Sequence, residues 1–342
     1  MLKVCGCDAN GLEKLIELIN GSKTVLITGH RNSDFDAVGA GYGIYLLARS
    51  LGKPCAIVCD EPTTLSAPLP ELIVRQEGEG AVISPREVAQ ADLSGRLTVL
   101  MDTNRASILE CDEAVMNCRS LAIIDHHRIG NELTDGNGIF IHEPGYSSCS
   151  EIVARLYELG NAEFTPLLCS ALMAGIMLDT RDFSQKASAQ TFFVTGRLAE
   201  RGADMAMVRD FFDCSRQHYS QRAHIVTSAQ MHGAYAVSRT SITGPTIRTL
   251  APQAANELLT IEGVAAAFVI FKYSGATHIS ARSDGRVDVS EIMARFGGGG
   301  TRSMAAAQLG GMPTFAAKAK LLSYIDDYRE KNPDAETFTE RT

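Results

Sequence analysis

The sequence predicts an α/β protein in which a parallel-sheet domain is followed by a second, smaller α+β domain. Two observations support this fold class. From residue 11 to about residue 212, short apolar segments alternate with helical segments, as in a parallel sheet with helical crossovers. Beyond residue 230, strand-like segments follow one another closely and a long helical segment comes last. We therefore expect a first domain over residues 1–213, a connector over residues 214–229 and a second domain over residues 230–342.

The first domain is predicted to contain five strands, each a short run of mostly apolar residues. These strands cover residues 24–28, 55–58, 97–101, 121–124 and 138–142, and helices are predicted over residues 37–50, 166–177, 188–200 and 204–212. A further helix, ending at residue 159, is expected to begin after Ser148, because Ser148 and Glu151 fit a capping box. The hydroxyls and amides at this helix start could also receive a phosphate.

The second domain is predicted to contain four strands and a closing helix. The strands cover residues 234–239, 246–250, 264–273 and 277–281, and the helix runs from residue 314 to about residue 330. The polar tail over residues 331–342 is expected to be frayed.

The composition argues against several classes of protein. The chain has 342 residues, 45% of them hydrophobic, without the uninterrupted apolar run of about eighteen residues that indicates a membrane span. Its start lacks a secretory-signal pattern, and its nine cysteines include no CxxC pair, which favours reduced thiols in a cytoplasmic protein. The net charge of −8 and the lack of a long basic run argue against the binding of long nucleic acids.

Carboxylates and imidazoles follow several predicted strands and one buried helix at their carboxyl ends. Strand ends of this kind meet at one edge of a parallel sheet, where α/β proteins bind ligands. Each residue alone has an ordinary explanation, since Asp often caps a helix and His often makes a structural hydrogen bond. Together they favour a divalent metal, because acidic groups in a small volume repel one another without a cation. The set comprises His30, Asp34, Asp36, Asp102, Asp125, His126, His127 and Asp179.

This donor set also indicates which metal and which reaction to expect. Carboxylate oxygens with a few imidazoles suit Mn²⁺ or Mg²⁺, and the set is large enough for two ions. We expect two Mn²⁺ ions, with Mg²⁺ or Co²⁺ as substitutes. Two such ions can activate a water and stabilise the charge that develops on phosphorus during in-line attack. The predicted reaction class is therefore metal-assisted hydrolysis of a phosphoester.

The order of these motifs resembles the DHH phosphoesterase family. The chain contains His-x₃-Asp-x-Asp over residues 30–36, Asp102, the triplet Asp125-His126-His127, and Asp179-Thr180. In the second domain, ISARS over residues 279–283 and FGGGG over residues 296–300 resemble the substrate-binding motifs of the DHH-associated domain. The resemblance thus covers nearly the whole chain, and within the family it is strongest to the catalytic part of GdpP-type cyclic di-AMP phosphodiesterases.

The resemblance implies a role for each member of the set. One metal would be held by His30, Asp34 and Asp102, and the other by Asp36, Asp102, His126 and Asp179. Asp102 would bridge the two ions. Asp125 would orient the neighbouring imidazole, and His127 would face the phosphate or leaving oxygen as a donor or general acid.

The resemblance also implies that the second domain binds the substrate. Arg282 could hold a phosphate through two hydrogen bonds, and the glycine backbone could approach closely and donate amides, although a flexible turn would also explain the glycines. The chain differs from the family at Thr301, where His is usual, and Arg302 is a candidate to compensate. The expected substrate-binding residues are Arg282, Ser280, Gly298, Gly299, Gly300, Thr301 and Ser148.

The implied activity is Mn²⁺-dependent hydrolysis of cyclic di-AMP to linear pApA. The expected partners are small nucleotides and, in a possible homodimer, a second copy of the chain. Two alternatives stay open. One is a NrnA-like enzyme that degrades short oligoribonucleotides and dephosphorylates 3′-phosphoadenosine 5′-phosphate (pAp). The other is a nucleotide-binding module without activity, which the Thr301 replacement would explain. GdpP-type proteins carry membrane helices upstream, so the chain could also be the cytoplasmic part of a longer membrane-anchored protein.

Overall fold

The computed structural model describes residues 2–60, 66–88, 95–116, 118–130, 133 and 137–333. The chain divides into two compact units, residues 1–213 and residues 214–342. None of the described helices combines the length and the apolar character that crossing a membrane requires. The predicted frayed tail falls almost entirely outside the described residues.

The first unit is built on a seven-stranded sheet in which all neighbouring strands are parallel. Its strands are β1 (Lys3–Cys5), β2 (Thr24–Thr28), β3 (Cys55–Val58), β4 (Val82–Ile83), β5 (Arg96–Met101), β6 (Ser120–Asp125) and β7 (Gly138–His142). Their order across the sheet is β1-β7-β6-β5-β2-β3-β4. The strands β6, β5 and β2 are therefore side by side in the middle of the sheet.

Helices connect these strands and continue after the last one. They are α1 (Ala9–Gly21), α2 (Phe35–Ser50), α3 (Pro68–Glu77), α4 (Pro85–Val88), α5 (Asp112–Met116), α6 (Cys149–Leu159), α7 (Pro166–Thr180), α8 (Ala189–Glu200) and α9 (Met205–Phe211), with a 3-10 turn at Ala106–Ile108. The main core lies between the sheet and α2, α6 and α7. Ile27 and Met101 point into it, whereas the adjacent Leu26 and Leu100 enter smaller clusters on the other face. Burial on both faces explains why the strands read as continuous apolar runs.

The α/β prediction for this unit is confirmed. All five predicted strands are present, and their ends differ from the prediction by no more than one residue. The strands β1 and β4 were not predicted, because three and two residues are too few to show a hydrophobic period.

The second unit contains a six-stranded mixed sheet flanked by helices. Its elements are α10 (Arg216–Thr227), β8 (Gln230–His232), β9 (Tyr235–Arg239), α11 (Ile247–Leu258), β10 (Ala266–Tyr273), β11 (Ala276–Ser283), α12 (Val289–Ala294), β12 (Gly299–Gly300), β13 (Met304–Leu309) and α13 (Thr314–Lys331). The strand order is β12-β13-β11-β10-β9-β8, and only β9 and β10 are parallel. The predicted α+β class of this unit is confirmed.

The strand predicted over residues 246–250 is wrong, because this segment is the beginning of helix α11. The buried residues of α11 recur with helical spacing, at Ile247, Leu250, Ala251, Ala254, Ala255 and Leu258. The first residues of this segment have high β-propensity, and its helical periodicity can be recognised only over the full length of α11. The interval expected to be a connector contains α10, whose Ile225 is fully buried in the same cluster as α11.

Candidate metal centre

Polar residues converge where the central strands of the first unit end. The strands β6, β5 and β2 are adjacent and parallel, so their carboxyl ends share one edge of the sheet. The loop after β2 carries His30 and Asp34, β5 is followed directly by Asp102, and β6 ends at Asp125. The C-terminal end of α7 adds Asp179. The order of the strands thus assembles groups that are far apart in sequence.

One group of donor atoms comprises His30, Asp34 and Asp102, whose ligand atoms all lie within 4.8 Å of one another. His30 Nε2 is 3.4 Å from Asp102 Oδ2 and 3.9 Å from Asp34 Oδ2. Asp34 also caps helix α2, since its Oδ1 accepts hydrogen bonds from the amides of Asp36 and Ala37. Asp34 can therefore cap the helix through Oδ1 and bind a metal through Oδ2.

A second group comprises Asp36, His126 and Asp179, again within 4.8 Å. His126 Nε2 is 3.2 Å from Asp179 Oδ2 and 3.3 Å from Asp102 Oδ1. Asp102 therefore presents one oxygen to His30 and the other to His126. Its backbone adopts φ 58°, a left-handed conformation that is uncommon outside glycine and is tolerated best by Asn and Asp.

Asp36 is held from behind by the first turn of helix α6. Its Oδ2 accepts the amide of Cys149 at 2.8 Å, and its Oδ1 accepts the amide of Ser150 at 2.8 Å. The carboxylate is fully buried. Burial, with the charge of Asp102, raises the pKa of Asp36 well above its usual value. The two amides fix this carboxylate, and one of its oxygens also lies within 4.8 Å of donor atoms of His126 and Asp179.

The start of α6 is thus used differently from the prediction. Ser148 is buried and its hydroxyl accepts the amide of Glu151, as in a helix cap. In the predicted capping box the Glu151 carboxylate would accept the amide of Ser148. It accepts the amide and the hydroxyl of the preceding residue, Ser147, instead. The amides expected to receive a phosphate at this helix start donate to Asp36 instead.

Asp125 is fully buried and holds the ring of His127. Its Oδ1 lies 2.9 Å from His127 Nδ1 and accepts the His127 amide at 3.0 Å. Its Oδ2 accepts a short hydrogen bond from the side-chain amide of Asn104, whose own oxygen accepts the amide of Gly130 at 2.6 Å. The His127 side chain is 52% exposed, so Asp125 orients an imidazole that faces solvent. It is this ring, and not that of His126, that Asp125 contacts.

The imidazoles take on the positive charge that the carboxylates require. Burial opposes protonation of His126, but the carboxylates of Asp102 and Asp179 outweigh it and raise its pKa to about 11. Burial likewise opposes protonation of His30, yet Asp102 and Asp34 raise its pKa to about 10. Burial alone would raise the pKa of Asp102, but the three surrounding imidazoles hold it well below its usual value. The cluster thus needs cationic charge at its centre.

Two contributors to this site were not singled out from the sequence, the Asn104 side chain and the Cys149 thiol. Asn104 carries no charge and is not at a strand end, although it follows Asp102 by two residues. The backbone amides of Cys149 and Ser150 were expected to receive a phosphate and not to hold Asp36. The thiol of Cys149 lies 3.5 Å from Asp102 Oδ1 and donates to the Ile124 carbonyl. Only the proximity of Asn104 to Asp102 could have suggested a role.

Two protein-family models match the chain. The model of the DHH family, N-terminal domain, matches residues 24–176, and that of the DHHA1 domain matches residues 246–328. The chain belongs to the DHH family. The GdpP cyclic-di-AMP phosphodiesterase of Geobacillus thermodenitrificans is 34% identical to it over 324 residues, which are 92% of this chain and 49% of that protein. The resemblance inferred from the motifs is therefore confirmed.

A second relative and a solved structure extend this comparison. A probable manganese-dependent inorganic pyrophosphatase of Streptococcus thermophilus is 28% identical over 157 residues, 46% of this chain and 48% of that protein. The chain thus spans about half the length of both relatives. The crystal structure of an exopolyphosphatase-related protein from Bacteroides fragilis shares the fold, with a TM-score of 0.78, 18% identity, and coverage of 96% of this chain and 98% of that one.

In the DHHA1 domain, the structure brings together most of the residues expected to bind the substrate. Ser280, Arg282, Gly299 and Gly300 line one groove, and the Arg282 guanidinium donates to the Ala281 carbonyl at 2.9 Å. Gly299 and Gly300 form strand β12, which pairs with β13, whereas Gly297 lies in the preceding turn. A Cβ at Gly298 would lie 2.2 Å from the Ala306 carbonyl oxygen, so backbone packing alone requires glycine there.

Thr301 and Arg302 lie outside the lining of this groove. The Thr301 hydroxyl accepts the amide of Met304 at 3.2 Å and closes the turn between β12 and β13. Arg302 donates to the carbonyls of Gly285 and Arg286. Both side chains are thus engaged in holding loops of the DHHA1 domain.

Proposed function

We propose that this chain is a metal-dependent phosphodiesterase that hydrolyses cyclic di-AMP to linear pApA. The observation that carries the proposal is the convergence of two donor groups at one edge of the DHH sheet, with Asp102 between them. The 34% identity to the GdpP phosphodiesterase of Geobacillus thermodenitrificans supports the choice of substrate.

The donor set fits two divalent cations. His126 Nε2 is buried 3.2 Å from Asp179 Oδ2 and 3.3 Å from Asp102 Oδ1 without the alignment of a full hydrogen bond to either, and a bound cation would satisfy all three atoms. Carboxylates and imidazoles suit Mn²⁺, and the manganese-dependent relative supports that choice. Bound ions of this kind supply a Lewis acid that activates water and stabilises charge on the phosphoryl oxygens. The ligands would be His30, Asp34 and Asp102 for one ion, and Asp36, Asp102, His126 and Asp179 for the other.

His127 would serve as the proton donor. Asp125 occupies its Nδ1, so Nε2 is the nitrogen that can meet a substrate, and half of the side chain is exposed. Hydrogen bonds with Asp102 and Asp125 raise the pKa of His127 to about 9, which keeps the ring protonated near neutral pH. A water oxygen would join phosphorus, the bond from phosphorus to the 3′ oxygen would break, and the proton would pass to that oxygen. The products are a 5′-phosphate and a 3′-hydroxyl.

The DHHA1 domain would bind the nucleotide. Its groove, with a volume of about 380 Å³, is within the size range of small-molecule sites, and Arg282 lines it together with exposed backbone at Gly299 and Gly300. Guanidinium and backbone amides are suitable partners for a phosphate.

The cysteines support a cytoplasmic setting for this activity. All nine are free thiols in the structure, and five of them are buried. Thiols persist without pairing in a reducing compartment.

The test is to incubate the purified chain and Mn²⁺ with cyclic di-AMP, pApA and pAp in parallel, with an EDTA-treated control. We expect cyclic di-AMP to be consumed and pApA to accumulate. Preferential breakdown of pApA or pAp would assign the chain to the NrnA-like branch. Binding of cyclic di-AMP without turnover in Mn²⁺ would instead identify a nucleotide-binding module and reject the enzymatic proposal.

A further inference from the structure

The groove of the DHHA1 domain has two chemically different ends. Its lining includes Arg248 from α11 and Arg282 from β11, and no carboxylate is among its lining residues in the described part of the chain. An anionic ligand is therefore favoured. One end is formed by Arg282 and the glycine strand β12, and the other by an imidazole, His278, beside the aromatic ring of Phe271. No motif of the family resemblance includes His278.

His278 is held by aromatic contacts and not by hydrogen bonds. Its ring stacks on Phe271 with centroids 5.4 Å apart and an interplanar angle of 19°, and Tyr273 meets its edge at 6.0 Å. Its Nε2 is out of contact with solvent and has no hydrogen-bond partner among the described residues. Buried polar atoms normally have a hydrogen-bond partner, and a ligand bound in the groove could provide one for this nitrogen.

The ring can present this nitrogen to the groove without losing its stack. Rotation about the Cβ–Cγ bond has two roughly equivalent minima half a turn apart, and both keep the ring in the same plane against Phe271. The half-turn exchanges the two edges of the imidazole. The half-turn moves Nε2 to the position that Cε1 occupies in the structure, and where that edge of the ring meets the groove that His278 lines, a ligand can hydrogen-bond to it.

The spacing along β11 separates the two ends by the length of a nucleotide. Because side chains alternate on a strand, His278, Ser280 and Arg282 point to the same face of the sheet. The first and last are four residues apart, about 13 Å along the strand. If a phosphate contacts Arg282 and Gly300, a sugar lies near Ser280 and a base reaches His278. Arg248 stands beside this end, stacked over Tyr273 at 5.3 Å.

We propose that His278 is a specificity-determining residue that contacts the base of a bound nucleotide, with Phe271 as its support and Arg248 as a second planar surface. The identity of the ligand as an adenine nucleotide rests on the proposed function. The position of the base at the His278 end rests only on the groove itself. In this proposal His278 recognises the base and Arg282 recognises the phosphate, at opposite ends of the groove.

The test compares a nucleotide with its base-free counterpart. Binding of AMP and of ribose 5-phosphate to the full chain in EDTA would be measured by NMR titration, for the wild type and for His278→Phe, which keeps the stack and removes both ring nitrogens. We expect the Kd for AMP to rise about tenfold, the loss typical of one hydrogen bond, and the Kd for ribose 5-phosphate to stay the same. His278→Asn, which restores a hydrogen-bonding group, should recover part of the affinity for AMP.

His232→Phe is the matched control, since His232 belongs to the same domain, lies outside the groove and pairs with Asp326 at the surface. Equal AMP affinity in wild type and His278→Phe would overturn the proposal. So would an equal loss for both ligands, or a wild type that prefers AMP no more than ribose 5-phosphate.

The same variants separate this inference from the proposed function. An unchanged KM for cyclic di-AMP in His278→Phe would reject the base contact and leave the phosphodiesterase activity standing. His278-dependent AMP binding in a chain that does not hydrolyse cyclic di-AMP would reject that activity and leave the base contact standing.

Discussion

The metal edge of the DHH domain and the groove of the DHHA1 domain differ in how firmly their polar groups are held. At the metal edge, two of the carboxylates are held by groups outside the donor set: two helix amides hold Asp36, and Asn104 holds Asp125. In the groove, His278 rests on an aromatic ring and its Nε2 has no described partner. A catalytic geometry must exist before the substrate arrives, whereas a recognition surface keeps hydrogen-bonding capacity for its ligand.

The two regions should therefore respond differently to substitution. The metal edge should lose turnover when one supported group is removed, because its members act as a unit. The groove should lose affinity in separable parts, because the proposed contacts to phosphate and to base come from different residues. Four experiments test this contrast.

The largest effect is expected from Asp102→Asn. This change keeps the size of the side chain and tolerates the left-handed backbone at φ 58°, but removes the charge between the two donor groups. We expect cyclic di-AMP hydrolysis in Mn²⁺ to fall by about 10³-fold or more. Asp210→Asn, on the exposed surface of α9, is the control and should keep full activity. Activity of Asp102→Asn within a few-fold of wild type would refute the shared metal site.

A smaller loss is expected from Asn104→Ala. Asn104 touches no donor group directly, but it fixes Asp125, which in turn orients His127. Removal of such supporting groups costs about 10- to 100-fold in activity or metal affinity. Steady-state kinetics should show a lower kcat with an unchanged KM, and Asn137→Ala, at an exposed asparagine, should show neither. A change confined to KM would place Asn104 in substrate binding and weaken the contrast between the two regions.

Arg282→Ala should affect the opposite kinetic parameter. The guanidinium lines the groove and belongs to the DHHA1 domain, so its loss would remove the proposed substrate contact and no proposed metal ligand. We expect KM for cyclic di-AMP to rise about tenfold, the value of one strong hydrogen bond to a phosphate, while kcat changes little. Arg295→Ala, which breaks a surface pair with Asp327, is the matched control. A fall in kcat at constant KM would show that the groove takes part in catalysis.

The smallest effect concerns stability and its dependence on pH. The pKa values of His30, His126 and His127 are raised to about 10, 11 and 9, so their stabilising charges are complete below pH 6.5 and are lost as pH rises through these values. In EDTA, the Tm should therefore fall between pH 6.5 and pH 8.5. With saturating Mn²⁺ the fall should be smaller, since ligand imidazoles are then neutral throughout. A Tm that rises with pH in EDTA would contradict the charge assignment.

The upper limit of pH 8.5 in that experiment avoids a second source of instability. Burial raises the pKa of several thiols, with Cys7 and Cys55 at about 12. A buried thiol with a raised pKa also lowers the stability of the protein as pH rises, but only above the ordinary thiol pKa of 9.0. Below pH 8.5 the imidazoles dominate.

The parallel sheet, its five main strands and the identity of the residues that gather at its edge could all be predicted from the sequence. These features are local: a buried strand is a short apolar run, and a carboxylate directly after it must lie at the strand's end. The triplet Asp125-His126-His127 and the later Asp179 could be recognised for the same reason. The sequence also pointed to the groove through the glycines of β12 and through Arg282.

The partners of these groups could not be predicted from the sequence, because they depend on how distant segments pack. The amides that hold Asp36 lie more than a hundred residues away in α6, and the ring that supports His278 lies on the neighbouring strand. Residues 246–250 formed a helix because α11 buries a whole face against the second sheet. Thr301 was expected to bind the substrate, yet its hydroxyl closes a turn. The order of the strands and the packing of the helices determine such contacts. Neither can be predicted from the hydrophobic periodicity or the residue types of a single segment.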